Sequence, residues 1–421
     1  MKLPKIQDAD LRGKIVLIRV DHNVVKKGRI KDPYRIDASL DTIQYVISKG
    51  GKPILMTHVG RPRNKKTGEI DISDKTSVKP IIEYLKKKTG LIFLTPDEVD
   101  FQNHEIDNLL KDLKSNEISG IYLPNVRWFE GEESGGEKTR MFGNELANLA
   151  DVFVNDAFGS WQPHASTIEP TKYLPSYAGI LMQKEIENLS KVLNPQRPLV
   201  AVIAGSKFDT KIGTLTSFLK MADYLVLGGV IYNAYLCAKY GFKISGITDE
   251  DLKAAQEFLK FSDTFSDKIL ELPFIIESDV LEEKIAEKFR IRNIIEIKPG
   301  TKLNFILDVS TKSFELKKVK DIFHDARTIF VNAVMGFTPN FYEGTFSLNS
   351  LIDQNKNANK LFGGGDTLQE FKTLLPGIYN LALKDEKYYF FTGGGTILKA
   401  VKEGTAFGLE PVKALMRERI L

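Results

Sequence analysis

Cysteine is all but absent from this chain: one residue of 421, Cys237, in the apolar setting Ala234-Tyr235-Leu236-Cys237-Ala238. A single thiol excludes an internal disulfide, and these neighbours suit a buried core thiol better than a nucleophile. A reducing cytoplasm is the expected compartment. No run of about 18 apolar residues occurs, so no membrane-spanning helix is expected. The start, Met1-Lys2-Leu3-Pro4-Lys5, lacks the apolar region of a signal peptide. CxxC and HExxH spacings are missing, which argues against a zinc site. An excess of one charge is missing too. The 59 basic and 55 acidic residues leave a net +4, too weak a bias for a nucleic-acid partner. No repeat, coiled-coil heptad or large apolar patch calls for an obligate partner, so a monomer is expected.

What is present is the mix of a globular protein, 42% hydrophobic and 27% charged, on a chain long enough for two domains. Short apolar runs alternate with helical patterns. Lys14 to Val20, Pro53 to Thr57, Gly120 to Leu123 and Asp151 to Val154 read as buried strands, with Leu91 to Leu94 as a shorter one. Helical patterns run through Leu40, Ile43, Val46 and Ile47, from Lys79 to Lys88, and from Asn144 to Ala150. The polar, glycine-rich stretch Glu130 to Lys138 reads as a surface loop. This alternation predicts a parallel sheet with helices on both faces. The strands are followed by Asp21-His22-Asn23, His58-Val59-Gly60-Arg61 and Asn125-Val126-Arg127, at the end where open α/β sheets bind ligands. Each such residue alone is more often a surface or capping group. Together Arg35, His58, Arg61 and Arg127 suggest a cationic pocket for a small phosphate or carboxylate.

Met182 to Leu193 is a strong helical pattern stopped by Asn194-Pro195-Gln196-Arg197-Pro198, and a domain junction is expected there. A second α/β unit then opens with the strand Leu199 to Ala204. Lys207 and Lys211 follow at a spacing of i, i+4; on a helix they would share a face, either as two solvated lysines or with an anion between them. Strands Tyr224 to Gly228, Phe305 to Val309 and Thr328 to Asn332 repeat the form. The stretch Leu361-Phe362-Gly363-Gly364-Gly365-Asp366-Thr367 reads as a strand, a glycine turn and a helix start. Tyr388 to Phe391 runs into Thr392-Gly393-Gly394-Gly395 in the same way. Bare glycine backbone at a helix N-terminus admits an anion closely, and Asp366 is placed to hold a divalent cation against it, unless it is a plain N-cap. No GxxxxGK[ST] is present, so this is not a P-loop site.

In order and spacing these segments resemble phosphoglycerate kinase along nearly the whole chain. The resemblance is carried by Ile18-Arg19-Val20-Asp21-His22-Asn23-Val24, His58 to Pro62, Asn125-Val126-Arg127, Val154-Asn155-Asp156-Ala157-Phe158-Gly159 and His164-Ala165-Ser166-Thr167. The second half adds Gly205-Ser206-Lys207, Lys211-Ile212-Gly213, Gly363 to Thr367, and Thr392-Gly393-Gly394-Gly395. It implies two doubly wound, Rossmann-like α/β domains joined by a hinge helix: residues 1–182 for phosphoglycerate, 183–195 as connecting helix and 196–405 for nucleotide. A tail, 406–421, would return to the first domain. The implied reaction is reversible phosphoryl transfer between 1,3-bisphosphoglycerate and ADP, giving 3-phosphoglycerate and ATP, with Mg²⁺ and domain closure. By matching position, Asp21, His22, Asn23, Arg35, His58, Val59, Gly60, Arg61 and Arg127 are similar to the substrate residues. Lys207 and Lys211 match the lysines that meet the transferring phosphoryl group, and with Arg35 they form the expected catalytic set. Lys211, Gly364, Gly365, Asp366 and Thr367 match the nucleotide residues, with Asp366 on the metal.

The departures from the family pattern fall in functional places. Gly159-Ser160-Trp161-Gln162-Pro163-His164 lacks an arginine that normally helps hold the substrate phosphate. A charged hydrogen bond is worth roughly 1.5–3 kcal/mol, so about ten- to hundredfold in affinity is at stake. Pro124 replaces a glutamate, and Lys399 stands where an acid is common. Val331-Asn332-Ala333-Val334 replaces a Trp-Asn-Gly-Pro run, and the acid that meets the ribose has no clear match; Glu343 is the nearest substitute. Two other functions stay open at this point: a relative that binds phosphoglycerate or nucleotide as a regulatory protein, and a kinase for another small acyl phosphate.

Overall fold

Residues 3–97 and 104–417 are described by the computed structural model. They form two compact units, Met1–Glu187 with Ala406–Leu421, and Asn188–Thr405. The expected features at Met1, Lys2 and residues 418–421 lie outside the described residues.

The first unit is built on β1, Ile15–Val20, whose six residues are all buried. A strand covered on both faces favours apolar side chains along its length, and five of these six residues are Ile, Val or Leu, with Arg19 the exception. It pairs in parallel with β2, Lys52–Met56, on one side, and with β5, Val152–Asp156, on the other; Ile18 lies opposite Leu55 and Val154. Adding β3 (Phe93–Leu94), β4 (Gly120–Tyr122) and β6 (Ser176–Ala178) gives the order β3-β4-β2-β1-β5-β6. Helix α1, Tyr34–Ser48, buries Ile36, Ile43 and Val46 against this sheet. The strand order reverses beside β1, and at such a point the carboxyl ends leave a crevice for ligand.

The stretch expected to be a surface loop at 130–138 is instead helical. Gly131–Ser134 is a short helix and Gly136–Asn148, α2, follows at once. Gly131 permits this, because a Cβ there would sit 2.4 Å from Phe142 Cβ. The turn is pinned from inside by Glu132, which is 1% exposed, a charge burial that composition does not announce.

Helix α3, Ile180–Leu193, carries the chain from one unit to the other. In the second unit β7 (Leu199–Gly205), β8 (Tyr224–Gly228), β9 (Thr328–Asn332), β10 (Asn359–Gly363) and β11 (Tyr388–Phe391) form a parallel sheet in the order β8-β7-β9-β10-β11. Its reversal lies between β7 and β9. Phe218 stacks on Phe330 at 5.0 Å and Phe362 on Phe371 at 5.0 Å, filling the layers between sheet and helices. Phe305–Val309, expected to be another parallel strand, belongs elsewhere. It pairs antiparallel with Phe274–Ser278 in a separate three-stranded sheet. A short apolar run alone does not reveal the direction of its partner. Among the described residues no helix is long and apolar enough to cross a membrane.

Candidate active site

The carboxyl ends of β1, β2 and β4 converge with the start of α1. Asp21 follows β1, and its Oδ2 accepts from Arg35 Nη1 at 3.1 Å, from the first turn of α1. Asn23 Oδ1 accepts from Gly60 N (2.9 Å), and the Gly60 carbonyl accepts from Arg127 Nη1 (2.6 Å). Gly60 has φ +63°, a left-handed turn that glycine makes without strain. Asn125 clamps the same loop: its Oδ1 accepts from Val59 N and Arg127 N, and its Nδ2 donates to the Val59 carbonyl. Arg127 also pairs with Glu133 at 3.0 Å.

Among the described residues two buried atoms of this cluster have no hydrogen-bond partner, Asp21 Oδ1 and Arg127 Nε. Arg61 is exposed and makes no side-chain ion pair among the described residues. His22 and Val59 are placed differently from the other expected substrate residues. Val59 is fully buried, and His22 sits in the core with Nδ1 at 2.8 Å from Tyr122 Oη and Nε2 at 2.7 Å from Ser39 Oγ. Burial pushes the His22 imidazole down to about 3, so it is neutral.

His58 faces Arg19, which the reading of Lys14 to Val20 as an apolar strand passed over. The Arg19 side chain is completely buried. It donates from Nε to Ser166 Oγ (2.8 Å), from Nη1 to the Val20 carbonyl, and from Nη2 to His58 Nδ1 (3.0 Å). Burial first, then the charges of Arg19, Arg127 and Arg35, hold His58 well below the usual imidazole range. Glu132 completes the set and accepts from Ser166 Oγ at 2.6 Å. An arginine inside the apolar run Ile15–Val20 was the available signal, since such a residue is almost never buried unpaired. Where the family arginine is missing, Ser160 is buried, and Gln162 Oε1 lies 3.0 Å from His164 Nε2.

In the second unit the loop after β7 is fixed from below. Asp251 Oδ1 accepts from Phe208 N at 2.5 Å, and the Phe208 ring packs edge-on against Phe258. Helix α4, Ile212–Met221, begins only after Lys211, its N-cap. Lys207 and Lys211 therefore do not share a helix face: Lys207 is an exposed loop residue, while Lys211 turns inward. Lys211 Nζ donates to the Ala204 carbonyl (2.5 Å) and to Asn332 Oδ1 (3.0 Å). Asn332 Nδ2 donates in turn to the Gly363 carbonyl at 2.6 Å. One lysine and one amide thus tie the carboxyl ends of β7, β9 and β10 at the point of reversal. Burial holds Lys211 below the usual lysine range.

Helices α5, Gly365–Leu374, and α6, Gly394–Glu403, start from the two glycine turns. Gly364 has φ +112°, and a Cβ on Gly394 would lie 2.5 Å from Gly364 Cα. The two turns touch backbone to backbone, so bare amides and three helix N-termini share one edge of the sheet. Asp366 is the second residue of α5 rather than its N-cap, which is Gly364. It is exposed and makes no hydrogen bond or ion pair among the described residues. Thr367 is buried beside Gly364. A small recess lined by Gly229, Tyr232, Asn233, Ile306, Asp308, Val309 and Met335 adjoins this edge, since Gly229 backs onto Gly205. Glu343 opens the helix Glu343–Gln354 and is ion-paired with Lys284. Lys399 pairs with Glu403 at 2.7 Å.

Two strand-end edges of this kind, one rich in arginine and one in glycine turns, suit a nucleotide-dependent phosphotransferase. The family model described as phosphoglycerate kinase matches residues 6–404. The phosphoglycerate kinase of Dictyoglomus turgidum is 32% identical over 401 residues, 94% of either chain. That of Blochmanniella pennsylvanica is 35% identical over 416 residues, covering 97% of this chain and 96% of the relative. Among solved structures, phosphoglycerate kinase from Coxiella burnetii superposes with a TM-score of 0.76 at 29% identity, covering 99% of this chain and 98% of that one. The enzyme from Pyrococcus horikoshii shares the fold with a TM-score of 0.78 at 22% identity, covering 98% of each. The chain belongs to the phosphoglycerate kinase family. Its function is the glycolytic phosphoryl transfer between 1,3-bisphosphoglycerate and ADP, giving 3-phosphoglycerate and ATP.

Proposed function

We propose that the first unit holds the phosphoglycerate and the second the nucleotide. Arg35, Arg61, Arg127 and neutral His58 would meet its anionic groups, with Asp21 and Asn23 on its hydroxyl side and Gly60 shaping the loop. His22 and Val59 would act from behind, as packing that keeps the loops in place. The observation that carries this assignment is the pair of orphaned buried atoms, Asp21 Oδ1 and Arg127 Nε. An acceptor and a cationic donor buried without partners carry a desolvation cost, which a ligand bearing both a hydroxyl and an anion relieves.

On the second unit the ATP phosphates would lie across Gly364, Gly365 and Thr367. A carboxylate oxygen of 3-phosphoglycerate attacks the γ-phosphorus of ATP, the bond to the β-phosphate oxygen breaks, and ADP leaves with the electron pair. The charge spread over the transferring group is what the protein must neutralise. Lys207, Lys211 and Arg35 would supply it, with Lys211 held in place by Asn332. Among the described residues there is no cluster of three His, Cys, Asp or Glu side chains that could hold a metal. Mg²⁺ would take Asp366 as a protein ligand and draw others from phosphates and water, as this ion commonly does. The unpaired, exposed Asp366 fits that role, and the metal supplies further charge neutralisation. We further infer a cytoplasmic monomer, in keeping with the single buried thiol.

The test is ADP formation from ATP, Mg²⁺ and 3-phosphoglycerate, drawn forward by removing the acyl phosphate. Arg127→Ala and Lys211→Ala run alongside, with binding of each ligand measured by calorimetry. Turnover that both variants lose, Arg127→Ala through phosphoglycerate binding and Lys211→Ala through transfer, is expected. Unchanged phosphoglycerate affinity in Arg127→Ala would overturn the assignment of the first unit.

A further inference from the structure

We propose that Arg19, anchored to Glu132 through Ser166, is a positioning residue that fixes His58 as an Nε2–H donor toward an anionic group of phosphoglycerate. The proposal rests on the reading of the first unit as the phosphoglycerate site. It concerns three side chains, Arg19, Ser166 and Glu132, that do not touch the ligand in that reading.

The geometry forms a chain with one consistent direction. Arg19 has only donors, so at 3.0 Å from its Nη2 the His58 Nδ1 must accept. The single proton of the neutral ring then resides on Nε2, which presents a donor. A carboxylate in the place of Arg19 would select the opposite tautomer and leave Nε2 as an acceptor, which repels an anion. Arg19 is held in turn by a fixed partner: its Nε donates to Ser166 Oγ at 2.8 Å. Ser166 Oγ gives its own proton to Glu132 Oε1 at 2.6 Å, and Ser166 N donates to Glu132 Oε2 at 2.8 Å. Arg19 Nη2 also reaches Ser160 Oγ at 3.5 Å. The guanidinium therefore cannot rotate without breaking several bonds at once.

The burial makes a purely structural role unpersuasive. Arg19 and Glu132 are 0% and 1% exposed, and such a buried pair is often replaceable by apolar residues without loss of stability. Four of the five other residues of β1 are Ile or Val and the fifth is Leu, so an apolar side chain at 19 would suit the strand. What an apolar residue cannot do is hold the imidazole in one tautomer while adding positive charge behind it. The four groups come from β1, the loop after β2, and two short helices, with Arg19 and Ser166 separated by 147 positions in the chain. This is a built arrangement rather than a local capping pattern.

The test uses the full-length protein with ¹⁵N-labelled histidine, His58 being assigned by its loss in His58→Asn. The ligand-free wild type is expected to show His58 with a proton on Nε2 and an unprotonated, hydrogen-bonded Nδ1. In Arg19→Lys, which keeps the charge but lacks the fork to reach Ser166 and His58 together, a tautomer mixture is expected. The KM for 3-phosphoglycerate should rise by about tenfold, the scale of one hydrogen bond to a charged group, while the KM for ATP is unchanged. Ser166→Ala, a smaller change than Arg19→Met and safer for folding, should move both readouts in the same direction. Wild-type His58 protonated on Nδ1, or Arg19→Lys with an unchanged tautomer and KM, overturns the proposal. An Nε2–H tautomer in a wild type that binds no 3-phosphoglycerate instead overturns the reading of the site, and the proposal falls with it.

Discussion

Asn332 offers the sharpest test of how charge is held at the nucleotide edge. Its Oδ1 accepts from Lys211 Nζ at 3.0 Å and its Nδ2 donates to the Gly363 carbonyl at 2.6 Å. Asn332→Ala removes both bonds and leaves Lys211 with the Ala204 carbonyl alone. A hydrogen bond to a charged group is worth roughly 1.5–3 kcal/mol. If that energy serves to aim the ammonium at the transferring phosphoryl group, kcat should fall by about ten- to hundredfold. Asn332→Asp separates aiming from charge. It preserves an acceptor for Lys211 but neutralises the ammonium and opposes the phosphates, so its loss should be at least as large. The assay is ADP formation under saturating ATP and 3-phosphoglycerate, with thermal melting of each variant to confirm folding. An Asn332→Asp enzyme as fast as the wild type would refute the claim that the Lys211 charge does the work.

Lys211→Ala should abolish measurable turnover with little change in melting temperature, because Nζ lies at a ligand edge rather than in the core; a wild-type rate would end its assigned role. Gly364→Ala, with φ +112° and a Cβ 2.7 Å from Asn332 Nδ2, should cost about 1–3 kcal/mol of stability in urea titrations and raise the KM for ATP. In Asp366→Asn the Mg²⁺ concentration for half-maximal turnover should rise by about tenfold, and Mg²⁺-dependent tightening of ADP binding by calorimetry should weaken alike. His22 makes the fold acid-sensitive. The unfolded ring takes up a proton near 6.5 and the folded ring only near 3, so the unfolded state binds more protons between those values. This contribution is fully present above pH 6.5 and is lost as pH falls toward 3, by up to about 5 kcal/mol. Urea titrations at several pH values should show the gap between wild type and His22→Phe narrowing and then reversing on acidification.

How much could be read from residues alone depended on whether the determining contact was local. β1 was legible because a strand covered on both faces is built mainly from apolar residues, and the turn at Gly363 to Gly365 because only glycine fits two touching backbones. The helix at Gly131–Ser134 was not legible. Its polar residues look solvated until Ser166, 34 positions away, is found against Glu132. Lys207 and Lys211 carried a helical spacing, but Phe208 held by Asp251 keeps the chain in a loop until Ile212. Arg19 lay in plain view within an apolar strand, yet its purpose depends on partners 39 and 147 positions distant. The strands at Phe274–Ser278 and Phe289–Asn293 escaped notice because a small antiparallel sheet can be built from short runs that mix apolar with charged side chains.

The first unit is split in the chain, with Ala406–Leu421 grouped with Met1–Glu187 and the whole of the second unit between them. The helix Glu410–Met416 buries Pro411, Val412, Ala414 and Leu415, packing near Ala165–Ile168 and Ser176–Ala178. Synthesis proceeds from the N-terminus, so the ribosome delivers all of the second unit before the last piece of the first. The second unit is continuous in the chain, whereas the first needs its opening residues and its last ones together before its packing is whole. Closing the first unit is thus a pairing of the most distant parts of the sequence, while closing the second is not.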